Sequence, residues 1–227
     1  GAIQIVAGGG DIGQVLLGDR RVVGTVFTGS VPTAKAIARN LLADDDRPLV
    51  PLIAETGGLN AMFVDSTALS EQVVRDVVIS GFQSAGQRCS ALRLLLLQEE
   101  IAEHTIEMLV GAMKELVVGD PANPANDIGP VIDAEAQANL LRHIERMKGS
   151  ARSFYQLELP ELNGTFVPPT VIEIGSLAEL TYEVFGPVLH VVRYKRANLA
   201  KVVESINQTG FGLTLGVHSR IDETIDF

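Results

Sequence analysis

Short apolar runs alternate with longer amphipathic stretches along most of the chain. Ala91–Leu97 is almost continuously apolar, the pattern expected of a strand covered on both faces. Leu49–Ala54 reads the same way, as a buried strand. Ile3–Val6, Val22–Phe27, Asn60–Val64, Thr170–Glu173, Leu189–Tyr194 and Leu213–His218 predict further strands. Between them lie helical segments near Asp11–Leu17, Pro32–Leu42, Ala68–Phe82, Glu99–Val117, Ala134–Lys148 and Asn198–Asn207, and another begins at Asp222. In Glu99–Val117 the residues Ile101, Ile106, Leu109, Val110, Met113 and Leu116 fall at helical spacing. Pro32 sits near a first helical turn, where its missing N–H costs nothing. Gly8-Gly9-Gly10 is a turn, and Asn123-Pro124-Ala125-Asn126 a loop rather than a linker. Strands alternating with helices predict an α/β fold with a mostly parallel sheet.

Composition narrows the function classes. A chain of 227 residues holds one or two domains, and 46% apolar residues can fill a core. A formal net charge of −10 argues against a nucleic-acid surface. The charge run Asp44-Asp45-Asp46-Arg47 reads as a solvated loop. No apolar run is long enough for a membrane span, and no charged n-region of a signal peptide precedes the first strand pattern. The single cysteine allows no internal disulfide, which suits a reducing cytoplasm. The four histidines, at 104, 143, 190 and 218, show no metal-ligand spacing, so no metal site is expected.

That cysteine, Cys89, carries the candidate chemistry. It lies in Ser84-Ala85-Gly86-Gln87-Arg88-Cys89-Ser90, after the helix that ends near Phe82. Gly86 permits a tight turn. A cation such as Arg88 beside a thiol favours the thiolate. A lone cysteine is nonetheless most often a small buried apolar residue. Upstream, Glu55 ends the apolar run Leu52-Ile53-Ala54 and is followed by Thr56-Gly57-Gly58, where glycines leave room for close approach. A thiol nucleophile needs a carboxylate able to take a proton from it or from water. The plainer reading of Glu55 is a solvated surface charge.

Longer segments are similar to a known family. Leu52-Ile53-Ala54-Glu55-Thr56-Gly57-Gly58-Leu59-Asn60 resembles the glutamate motif of the aldehyde dehydrogenase superfamily, and Phe82-Gln83-Ser84-Ala85-Gly86-Gln87-Arg88-Cys89 resembles its cysteine motif. Phe27-Thr28-Gly29-Ser30 resembles its turn beside the cofactor pyrophosphate. Val118-Gly119-Asp120-Pro121 and Ile128-Gly129-Pro130 resemble its middle landmarks, and Glu183-Val184-Phe185-Gly186-Pro187-Val188 the segment that holds the nicotinamide riboside. The motifs occur in the family's order and span essentially the whole chain. Ala54 with Glu-Thr-Gly-Gly, and Gly-Gln-Arg-Cys-Ser-Ala-Leu-Arg at 86–93, resemble the 1-pyrroline-5-carboxylate (glutamate-γ-semialdehyde) dehydrogenases, including the dehydrogenase part of the bifunctional proline utilization A family. Leu189–Tyr194 and Gly212–His218 fit the same pattern.

The resemblance implies an aldehyde dehydrogenase fold: residues 1–55 completing a Rossmann-type, NAD-binding domain, and 56–227 forming most of a catalytic domain. Cys89 is then the nucleophile, passing through a hemithioacetal and a thioester, and Glu55 the base for water. Gly29, Ser30, Thr56, Gly57, Glu183 and Phe185 are expected to bind NAD, Gly29 and Ser30 by opening a helix toward the pyrophosphate. Without the family, that pair is an ordinary strand-to-helix turn, Glu183 a surface carboxylate and Phe185 a core residue. Arg88 and Ser90 flank the nucleophile and are candidates for the substrate's α-carboxylate; otherwise Arg88 pairs with a nearby acid and Ser90 caps the loop. The expected substrate is glutamate γ-semialdehyde. Family members are considerably longer, so the chain is expected to be a piece of one. The family's upstream asparagine oxyanion donor and adenosine-ribose lysine have no counterpart here, nor do its downstream aldehyde-anchoring loop and oligomerisation strand. A proline dehydrogenase (FAD) domain in the same parent chain, a homo-oligomeric parent and weak cofactor binding by this segment alone are further expectations. Rival readings are another NAD(P)-dependent aldehyde dehydrogenase, a relative passing the thioester to coenzyme A, and a folded module without catalysis. Glu55 speaks against the coenzyme A reading, which needs no base for water.

Overall fold

The computed structural model describes residues 1–227. They divide into two compact units, Gly1–Gly57 and Gly58–Phe227.

The first unit is thin. Helix α1 (Gly10–Gly18) precedes strand β1 (Thr25–Gly29); helix α2 (Val31–Leu41) leads to strand β2 (Leu52–Thr56). The two strands pair in parallel, Thr25 opposite Leu52 through Gly29 opposite Thr56. Ser30 caps α2: its hydroxyl accepts from the Thr33 N–H at 3.3 Å, and Pro32 lies in the first turn. Arg47 ties the end of α1 to the segment before β1 through the carbonyls of Leu17 at 2.7 Å and Val22 at 2.6 Å. Ala34 and Leu41 are the only buried residues.

Three expectations change here. Ile3–Val6 forms no strand, because no strand of the two-stranded sheet pairs with it; Ile3 and Ile5 are 88% and 93% exposed. β2 begins after Pro51, which lacks the N–H that a ladder needs, so the strand runs later than the apolar pattern and Glu55 lies within it. β2 is also not buried: Ile53 is 57% exposed. Two strands and one covering helix leave both faces of the sheet short of partners.

The second unit holds the core. Six strands, β3 (Ala61–Val64), β4 (Leu94–Gln98), β5 (Ser153–Gln156), β6 (Thr170–Glu173), β7 (Val188–Tyr194) and β8 (Leu215–His218), lie in the order β5-β6-β7-β4-β3-β8. All neighbours are parallel except β5, which pairs antiparallel with β6 at one edge. That edge strand was not expected from the sequence: Ser-Phe-Tyr-Gln is short and half polar. Helices α3 (Ser70–Phe82), α4 (Glu99–Lys114), α5 (Ala134–Lys148), α6 (Leu199–Asn207) and α7 (Asp222–Asp226) complete the unit. Every residue of β4 is buried, and Leu95, Leu96 and Leu97 are wholly shielded from solvent. Val73 and Val77 of α3, with Ala102, Leu109 and Met113 of α4, join that core. Their periodicity is what made both helices legible.

Candidate active site

The loops entering β3, β4, β7 and β8 gather at the amino-terminal edge of this sheet, and Cys89 lies among them. α3 ends at Phe82, which is fully buried, and the chain turns immediately. Ser84, Ala85 and Gly86 all adopt positive φ, at 56°, 51° and 63°. Two of the three are not glycine, so the turn holds strain, of order 1–3 kcal/mol per residue. At Gly86 a side chain is excluded: a Cβ would stand 2.1 Å from the Gly186 carbonyl oxygen. This turn delivers Cys89 to the surface as an exposed thiol, not a core residue.

The loop is clamped by groups that take up its backbone carbonyls. Asn60 Nδ2 donates to the carbonyls of Cys89 and Ala91, both at 2.7 Å, while its Oδ1 accepts from the Thr214 N–H at 3.2 Å. The Thr214 hydroxyl donates to the Ser90 carbonyl at 3.4 Å. Gln87 reaches the Gly-Pro landmark, its Oε1 accepting from the Ile132 N–H at 2.8 Å and its Nε2 donating to the Pro130 carbonyl. The two middle landmarks bind one another, through a bridge between Val118 and Ile128. The Cys89 N–H has no partner within the protein and is a free donor beside the thiol.

Arg93 is the feature that the sequence did not single out. It is 1% exposed and is the largest fully buried side chain. Nη2 donates to the Arg88 carbonyl at 3.1 Å and Nη1 to the Gly186 carbonyl at 3.2 Å. Its guanidinium lies 3.7 Å from the Glu183 carboxylate and 5.1 Å from the centre of the Phe185 ring. Burial lowers the Arg93 pKa to about 10, opposed by Glu183, so the group remains a cation at neutral pH. Burial raises that of Glu183, opposed by Arg93 and by the Gly58 N–H, which donates to it at 3.4 Å. An arginine interrupting the apolar run Ala91–Leu97 is the one signal that pointed here.

Glu183 and Phe185 line a cavity of about 900 Å³ with Gln87, His143, Arg146 and Tyr182. Phe185 is 42% exposed, not a core residue. His143, in the cavity wall, faces the buried His190, their Nε2 atoms 2.9 Å apart. Arg146 can only donate, and it reaches His143 Nδ1 at 3.1 Å, so His143 carries its proton on Nε2 and gives it to His190. His190 then bears its proton on Nδ1, which is buried without a partner. Burial depresses both, to about 4 for His143 and about 3 for His190, so the pair is neutral near pH 7. It is a core pair and not a ligand set; no group of metal-binding side chains occurs.

The flanking residues differ. Arg88 donates through Nη2 to the Ile79 carbonyl at 2.8 Å, closing the end of α3, and pairs with no acid. Ser90 is exposed. In the first unit, Gly29 and Thr56 are cross-strand partners and Glu55 stands beside Thr28. Glu55, Thr56, Gly57, Gly29 and Ser30 therefore gather at the carboxyl ends of two parallel strands, where α/β sheets bind ligands. With Pro32 lacking an N–H and Thr33 bonded to Ser30, the Val31 N–H is the free donor at the start of α2.

A family model, the aldehyde dehydrogenase family, matches residues 1–226. The chain belongs to the aldehyde dehydrogenase family. Among its relatives, the bifunctional protein PutA of Klebsiella aerogenes is 57% identical over 99% of this chain, and that of Rhizobium meliloti 50% identical over 99%. The chain spans about a fifth of those proteins, 18% and 19% of their lengths. A crystal structure of Bradyrhizobium japonicum proline utilization A superposes with a TM-score of 0.93 at 55% identity, covering 96% of this chain and 22% of that one. The 1-pyrroline-5-carboxylate dehydrogenase from Thermus with bound NAD superposes at 0.88 and 33% identity, over 96% of this chain and 43% of that one. The aldehyde dehydrogenase fold expected from the motifs is therefore present, with parallel sheets as anticipated. No helix is long and apolar enough to cross a membrane.

Proposed function

We propose that this segment is the cysteine-bearing part of an NAD-dependent enzyme that oxidises glutamate γ-semialdehyde to glutamate. The carrying observation is Cys89: an exposed thiol just after a strained left-handed turn, beside its own free N–H and in a loop tied to that of Glu183 and Phe185. The proline utilization A and 1-pyrroline-5-carboxylate dehydrogenase relatives supply the substrate class.

The residues fit the cofactor. A half-exposed aromatic ring and a partly exposed carboxylate on one cavity wall suit a nicotinamide riboside, and a capped helix start with a free N–H suits a phosphate. Glu183 and Phe185 would hold the riboside; Gly29, Ser30, Thr56 and Gly57 the rest. NAD, when bound, supplies the acceptor for a hydride. The Cys89 thiolate adds to the aldehyde carbon, and the Cys89 N–H donates to the oxygen as it gains charge. Oxidation of this adduct leaves a thioester on Cys89. Glu55 takes a proton from water, the hydroxide adds to the thioester carbonyl, and the acid leaves as the thiolate is restored. Ser90, exposed beside Cys89, would meet the substrate's far end. Arg88 has a weaker claim, since it already bonds the Ile79 carbonyl. A proline dehydrogenase domain elsewhere in the same polypeptide would supply the semialdehyde.

The test uses an intact dehydrogenase containing this segment. Glutamate semialdehyde should be oxidised faster than an aliphatic aldehyde of equal length. In Glu55→Gln, one equivalent of reduced cofactor should form rapidly per site, followed by slow turnover. Loss of the burst itself would assign Glu55 to a step before oxidation, and a requirement for coenzyme A would replace water as the acyl acceptor.

A further inference from the structure

We propose that Arg93 is a positioning residue that couples the Cys89 loop to the Glu183–Phe185 loop, so that occupation of one alters the reactivity of the other. The inference rests on the function proposed above and deepens it.

The geometry is a bridge. One guanidinium reaches the carbonyl of Arg88, the residue immediately before the nucleophile, and the carbonyl of Gly186, the residue immediately after Phe185. The planar fork fixes the two carbonyls relative to one another, which a single rotating ammonium cannot do. The same cation faces the Glu183 carboxylate and the Phe185 ring, so both residues assigned to the riboside touch it. The side chain is almost completely enclosed, so these contacts are shielded from bulk solvent. Gly86 marks the same junction independently: its backbone sits so close to the Gly186 carbonyl that a Cβ would collide with it at 2.1 Å. The nucleophile loop and the riboside loop thus meet at two points, one side-chain bridge and one backbone contact. Anything that shifts Glu183 or Phe185 must move Arg93, and Arg93 holds the backbone from which Cys89 projects.

A purely structural arginine would stabilise the fold without linking the two loops. The distinction is measurable through the rate at which Cys89 is alkylated by iodoacetamide, with and without saturating NAD. Intact dehydrogenase carrying this segment is compared with Arg93→Lys, which keeps the charge, and Arg93→Gln, which keeps a donor. NAD affinity is measured calorimetrically in each. In the unaltered enzyme, NAD should slow the alkylation roughly tenfold, within the usual range of coupling between sites. In Arg93→Lys the effect should shrink below about threefold, although the NAD dissociation constant changes by less than that. Single-turnover formation of reduced cofactor should fall about 10²-fold, as for a misplacement of about 1 Å, with the KM for aldehyde little changed.

A full NAD effect retained in either folded variant overturns the proposal, as does unaltered enzyme in which NAD binds but leaves alkylation unchanged. If neither variant folds, Arg93 is a folding determinant and the coupling role is rejected. Unaltered enzyme that binds no NAD and oxidises no aldehyde would instead overturn the function on which the coupling rests.

Discussion

Val26 and Ile53 of the first unit and Leu95 and Leu96 of the second are all strand residues in parallel pairs, yet their surroundings are opposite. Val26 and Ile53 are 76% and 57% exposed, while the two leucines are fully enclosed. The difference teaches how each unit holds its share of the candidate chemistry. Around Cys89, the loop rests on a closed core and is clamped by Asn60, Gln87 and Arg93. Around Glu55, a two-stranded ladder and one capped helix set the geometry. Precision in the second unit comes from packing; in the first it comes from backbone pairing and a few polar ties.

Cys89→Ala separates chemistry from stability most sharply. In the intact dehydrogenase it should leave less than about a hundredth of the aldehyde-oxidising rate, since covalent catalysis is lost. Because the thiol is exposed, the midpoint of urea unfolding should move by no more than about 0.5 kcal/mol. A large loss of stability would mean that the thiol packs into the core after all.

Paired substitutions sharpen the comparison itself. Leu95→Ala should cost about 2–5 kcal/mol, because the sheet around it cannot collapse into the cavity. Ile53→Ala in this 227-residue chain should cost less than about 1 kcal/mol. Native-state hydrogen exchange should agree, with β1 and β2 amides exchanging well before those of β4 and β7. Equal costs would erase the contrast.

Acid should act on the second unit through its buried histidines. His143 and His190 have folded-state pKa values of about 4 and about 3, below the ordinary 6.5. Above pH 6.5 both are neutral in either state, and stability is full. Below it the unfolded chain takes up protons that the folded pair refuses, so stability falls as pH drops toward 4. The loss should be about 3–5 kcal/mol by pH 4.5, since two pH units at about 1.4 kcal/mol each apply to His190 in full and to His143 in large part. Unfolding curves of a His143→Phe/His190→Leu variant should be flatter over that window, and an unchanged slope would remove the pair as the cause.

The smallest effect belongs to Ser30→Ala, which removes the α2 cap. It should destabilise the first unit by about 1 kcal/mol. Circular dichroism during unfolding reads it, and no effect would show that α2 is held by something other than its cap.

Much of this was legible in advance. The leucine run before Gln98 fixed a central strand by composition alone, because only a two-sided cover makes four consecutive leucines favourable. The helical spacing of α4 and the Ser30-x-Pro32 start of α2 were equally local. Cys89 and Glu55 stood out because their motifs combine a reactive group with glycines that admit close approach. What escaped were properties of partnership. Ile3–Val6 has the pattern of a strand but no neighbour to pair with. β5 lacks the pattern but finds β6.

The sequence by itself determined the family, most of the elements and the identity of the candidate nucleophile and base, since these rest on residue type, spacing and local turn chemistry. Only the tertiary structure decided that Arg88 closes a helix end, that Asn60 and Arg93 hold the nucleophile loop, and that two distant histidines share one buried hydrogen bond. Asn60 and Cys89 lie 29 residues apart, Arg93 and Gly186 lie 93 apart, and His143 and His190 lie 47 apart. Contacts of that range are set by how strands order themselves in a sheet, which no local pattern encodes.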